Sequence, residues 1–105
     1  MTEAAEAPVP YRVVYSERAR ESLRELVARA RKRGLGRQVL DAAKEIDRRL
    51  RLYPQFGEPL MDLTQEARQL WVGTVEPLVV HYAIYEERRL VMVAVPLLPL
   101  PGAGL

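Results

Sequence analysis

The chain has 105 residues, 49% of them hydrophobic, and a formal net charge of +2, which bounds it to one domain with apolar side chains enough for a single core. It holds no cysteine and one histidine, so disulfides and thiolate chemistry are excluded, a His/Cys metal centre has almost no ligands to draw on, and neither metal nor cofactor is expected. No apolar run approaches the roughly 18–20 residues of a membrane span, and the opening MTEAAEAPVP has neither the basic nor the apolar region of a secretory signal, so a soluble, cytoplasmic protein without a membrane partner is expected.

Residues 1–10 read as a disordered leader of Ala, Glu and Pro. Residues 11–15, YRVVY, read as a strand because they are aromatic and β-branched. Ser16 is a good N-cap and Glu17 suits the positive end of a helix. Apolar residues then recur at Ala19, Leu23, Leu26, Val27 and Ala30, one face of a helix that Gly34 caps. After the short link Gly34-Leu35-Gly36, a second helix presents Val39, Leu40, Ala43, Ile46 and Leu50, and Pro54 stops it. So short a link favours an antiparallel helix hairpin. Residues 55–66 read as a loop, with Gly57 and Pro59 as breakers.

The rest is strand-like. Residues 68–74, 78–85 and 89–95 form three apolar runs separated by Glu76-Pro77 and by Glu86-Glu87-Arg88. Pro96, Pro99 and Pro101 end the ladder, since proline donates no hydrogen bond. Residues 96–105 form a Pro-rich apolar tail without an ionisable side chain, suited to lie back on the domain. The pattern predicts an α+β fold in the order β-α-α-β-β-β, its antiparallel helix hairpin packed on one face of a mostly antiparallel sheet. The core is predicted at Leu23, Leu26, Val27, Val39, Ala43, Ile46, Leu50, Val80, Tyr82 and Ile84. The other sheet face is left open to a partner.

Over residues 11–95 this order, with several local words, resembles the RelE/ParE toxin superfamily, the plasmid-stabilisation type. The words are Ala19 and Leu23 early in the first helix and Ile46, Leu50 and Pro54 closing the second. Phe56, Gly57, Pro59 and Leu60 follow in the loop, then Arg68-Gln69-Leu70, then Val80, Tyr82 and Ile84 on a central strand. The resemblance implies the toxin of a type II toxin–antitoxin pair, metal-free and held inactive by a small protein antitoxin. RelE-like members cleave mRNA on the ribosome and ParE-like members poison DNA gyrase, so RNA, the ribosome and gyrase are the implied targets. This chain departs from the RelE pattern. Pro77-Leu78-Val79 stands where an Arg is usual, and Pro96-Leu97-Leu98-Pro99 carries no Arg, His or Tyr. Cleavage through the 2′-OH needs a base, an acid and cations for the phosphorane charge. The departure points to a divergent, ParE-like member acting by binding a target. The alternatives are a RelE-type ribosome-dependent mRNA endonuclease and a non-toxic binding or dimerisation module.

Four residues stand out as contacts. Alternation along residues 78–85 sends Val79, His81, Ala83 and Tyr85 to the open face. His81 is the one weak catalytic candidate; otherwise it is an exposed strand histidine or an antitoxin contact. Arg68 is either a target contact or half of an ion pair with Glu45 or Asp47. Trp71 offers an aromatic to stack on a base or anchor a partner. Arg29, Arg31, Lys32, Arg33 and Arg37 cluster at the helix hairpin, as a solvated face or an electrostatic footprint. With Val79, Ala83, Trp71, Leu97, Leu98 and Leu100 as apolar surface, the chain alone is expected to self-associate or to use its tail as a cover.

Overall fold

The computed structural model describes residues 9–105; the leader expected at residues 1–10 lies outside it for its first eight positions. Strand β1 (Arg12–Tyr15) leads into helices α1 (Glu17–Lys32) and α2 (Gly36–Leu52), then strands β2 (Glu58–Leu63), β3 (Arg68–Val75), β4 (Leu78–Tyr85), β5 (Leu90–Val93) and β6 (Leu98–Pro99). The sheet runs β1-β5-β4-β3-β2, with β6 pairing β4, and the two helices pack on one face of it. All pairs are antiparallel except β1 with β5.

The local signals act as chemistry requires. The Ser16 hydroxyl accepts from the Ala19 amide at 3.1 Å, capping α1. Gly34 takes φ +74°, the left-handed turn that lets α1 end and α2 begin two residues later. Each helix buries one stripe: Ala19, Leu26, Val27 and Ala30 from α1, and Val39, Ala42, Ile46 and Leu50 from α2. They meet Val80, Tyr82 and Ile84 of β4 and Val91 and Val93 of β5. Of the ten expected core residues, Leu23 and Ala43 are only half-buried, packed against the cluster from its margin.

Two segments differ from the sequence expectation. Within residues 55–66 the chain forms β2, an outer strand on β3, flanked by the short turns Pro54–Phe56 and Thr64–Glu66. The run EPLMDL has no alternation to announce a strand, and a proline is tolerated there because an edge strand has one unpaired side. The tail returns as β6 and extends the edge of β4 that β5 leaves free. Leu97 is 5% exposed, and its amide donates to the Ser22 hydroxyl at 3.0 Å. Leu98, in contrast, is 48% exposed.

An aromatic clamp fixes β2 and its approach to the sheet. The Phe56 ring stacks on Tyr82 with centroids 5.9 Å apart, and the Arg49 guanidinium lies 5.3 Å from the Phe56 centroid. The ring fits only because residue 73 is glycine: a Cβ there would stand 2.5 Å from Phe56 Cζ. The Tyr82 hydroxyl donates to the Pro54 carbonyl at 2.6 Å. Burial raises its pKa to about 12. The folded state therefore holds this proton more tightly than the unfolded chain. The resulting stability is complete below pH 10 and is lost as pH rises through about 12. Tyr82→Phe should lower stability by about 1–3 kcal/mol at neutral pH, because the Pro54 carbonyl loses its donor. It should also flatten the alkaline fall, which urea unfolding at stepped pH measures.

Candidate functional site

The helix-free face carries a groove of about 310 Å³. Its floor is one row across three strands, Leu70, Ala83 and Met92, set side by side by the β3–β4 and β4–β5 registers. The row is concave because the central residue is an alanine between two long side chains. Leu60 of β2, 57% exposed, and Val95, 45% exposed, raise the walls.

The polar groups sit along the groove. His81 and Tyr85 alternate with Ala83 on β4 and line it. Arg68, the first residue of β3, lies one register step beyond the Gln69–Ile84 pair and so comes opposite Tyr85. Among the described residues Arg68 is the one formally charged side chain in the lining. Its Nη2 stands 2.6 Å from Glu66 Oε1, while its Nε is enclosed and has no acceptor among the described residues. The neighbouring Tyr85 hydroxyl and then the Glu66 carboxylate raise the guanidinium pKa further.

The ion pair expected with Glu45 or Asp47 is not the one formed. Glu45 is held by Arg48 and Arg49 at 2.7 Å each, and its carboxyl falls to about 2 through those hydrogen bonds, Arg48's first. Asp47 is held by Arg51 at 2.8 Å and by the Tyr15 hydroxyl at 2.6 Å. Both carboxylates belong to the helix layer, on the opposite side of the sheet from Arg68.

The register also sets the surroundings of Trp71 and Val79. Trp71 pairs with Tyr82, so its side chain has helix-side parity, and it packs half-buried against the core. It also borders the groove. Val79 is half-buried between register partners Thr74 and Leu98, outside the groove lining. Ala83, expected as exposed apolar surface, is 7% exposed and forms the floor.

The groove offers groups suited to recognition. Arg68 can take a carboxylate or phosphate oxygen, and the floor can take an apolar group. His81 and Tyr85 are four residues apart on one strand, roughly 13 Å between Cα atoms. That places His81 and the Arg68–Tyr85 pair at opposite ends of the groove, so among the described residues His81 does not converge with Arg68 and Tyr85 on one atom. Leu70 and Met92, which make the floor with Ala83, carry no polar signal that sequence reading uses; only the register brings them together. No protein-family model matches the chain, and no curated protein matches it at a significant level.

Proposed function

We propose that this protein is the toxin component of a type II toxin–antitoxin pair of the RelE/ParE kind, acting by binding a macromolecular target and neutralised by a protein antitoxin. The observation that carries the reading is the helix-free sheet face. In a β-α-α-β-β-β fold with both helices on the other side, it keeps an apolar groove with Arg68 as its lone charge among the described residues. Binding is favoured over mRNA cleavage because His81 and Arg68 stand at opposite ends of that groove. The ribosome and DNA gyrase are the two targets that the resemblance offers.

Expression of wild type, Arg68→Ala, His81→Ala and Ala83→Phe, with growth and mRNA integrity read together, tests this. Growth arrest with intact mRNA is expected for wild type and His81→Ala. Arrest should be lost in Arg68→Ala, and in Ala83→Phe, whose ring fills the groove. Melting by circular dichroism shows which variants remain folded. Codon-position-specific mRNA cuts that vanish in His81→Ala would replace the binding reading with the nuclease. No arrest with any folded variant would leave a non-toxic binding module.

A further inference from the structure

The helix hairpin carries charge that no acidic side chain among the described residues neutralises. No acidic residue lies between Glu25 and Asp41, and Arg29, Arg31, Lys32, Arg33 and Arg37 are all exposed. None of the five forms an ion pair among the described residues, whereas Arg48, Arg49 and Arg51 near the far end of α2 are all paired. Arg29, Lys32 and Arg33 border a shallow hollow beside Leu105. The helix dipole accounts for part of this, since cations in the last turn of α1 are favoured by about 0.3–1 kcal/mol each. It does not account for Arg37. That residue is in the first turn of α2, where the dipole disfavours a cation and where no acid stands.

At the other end charges of both signs mix. Asp62, Glu86 and Glu87 border a separate hollow together with Arg68. Tyr11 ties that end to the C-terminus of α2: its amide donates to the Arg51 carbonyl at 2.8 Å and its hydroxyl to Glu86 Oε2 at 2.7 Å. Helix α2 has 17 residues, and at 1.5 Å per residue it spans about 25 Å. The unpaired positive charge thus sits at the hairpin tip, with acids and bases balanced roughly 25 Å away, and it favours approach of a polyanion to the tip.

We infer that the hairpin tip docks the phosphate backbone of a nucleic-acid duplex, without reading its sequence. A single strand is held largely by aromatic stacking on its bases, and no aromatic residue lies between Ser16 and Leu52. An anionic lipid surface is held by apolar insertion beside the basic residues, and none of the large exposed apolar side chains is on the tip. The tip belongs to the helix layer, on the other side of the sheet from the groove, so this binding stands whether or not the groove serves a toxin.

The test is fluorescence anisotropy of the full chain with a labelled RNA duplex of about 16 bp, between about 50 and 200 mM salt. The duplex should bind with a log–log salt slope of about −3 to −5, as expected of four or five neutralised phosphates. The triple variant Arg29→Gln, Arg33→Gln, Arg37→Gln should lose roughly 10-fold or more at low salt and flatten the slope by about 2–3. The matching triple change to Lys should restore both, and Arg88→Gln, beside Glu86 and Glu87 at the other end, should alter neither. Should the Gln triple fail to fold, Arg37→Gln alone carries the test, with a slope change of about 0.9. The inference is overturned by no binding at the lowest salt, or by a slope unchanged in the folded variants. It is equally overturned if the single strand, polyglutamate or anionic phospholipid vesicles bind the tip as tightly as the duplex.

Discussion

Gly57→Ala should unfold the protein at a temperature far below wild type, with a stability loss of about 3 kcal/mol or more. A Cβ at residue 57 would collide with the Val72 carbonyl oxygen, which is sheet backbone and cannot rotate away, and would stand 2.9 Å from Gly73 Cα and the Tyr82 hydroxyl. Overpacking of this kind costs about 1–3 kcal/mol. The displaced Tyr82 hydroxyl would also give up its 2.6 Å bond to the Pro54 carbonyl, and a buried carbonyl without a donor costs about 1–3 kcal/mol more. For a domain of this size the sum is roughly 12–25 °C in Tm. Gly34→Ala is the control. There the φ of +74° makes an L side chain unfavourable, but nothing lies within 4 Å of the added Cβ. Its cost should stay near 1–2 kcal/mol. Calorimetry of both variants separates the two mechanisms: equal losses would mean that the close approach of residue 57 to β3 is not what the fold depends on.

Leu50→Ala should cost about 2–5 kcal/mol, while Leu52→Ala should stay within about 0.5 kcal/mol of wild type. The two leucines are two positions apart on α2, and the helix period sends them to different surroundings. Leu50 is fully enclosed in the core cluster, and Leu52 is 53% exposed. Truncating Leu50 loses its transfer free energy and leaves a cavity between α2 and the sheet that the clamp of Phe56 and Tyr82 restrains from collapsing. Urea unfolding gives both values. A small loss at Leu50 would mean that the helix layer is loosely seated, and the placement of the groove on the reverse side would lose its support.

The sequence by itself determined the layers. The period-3.6 stripes through Leu26, Val27, Val39, Ile46 and Leu50 specify two one-sided helices. The run from Leu78 to Tyr85 specifies a strand that sends Val80, Tyr82 and Ile84 one way and His81, Ala83 and Tyr85 the other. These are local periodicities, and burial followed them because each apolar stripe has one way to leave water. Ser16 and Gly34 likewise act through their own backbone and near neighbours.

What the tertiary structure alone decided is everything that depends on register. Trp71 faces the helices because it lies opposite Tyr82; one residue of slip would have sent it to the open face. Residues 58–63 are a strand because β3 has an edge to offer, since pairing supplies the hydrogen bonds that EPLMDL does not announce. Arg68 meets Glu66 and Tyr85 rather than Glu45 or Asp47 because the β3–β4 register sets it beside Tyr85 on the helix-free face. The groove itself is a register product, an alanine between a leucine and a methionine drawn from three strands. Spacing along one chain encodes which face a side chain takes; which residues share that face with it is settled only when the strands pair.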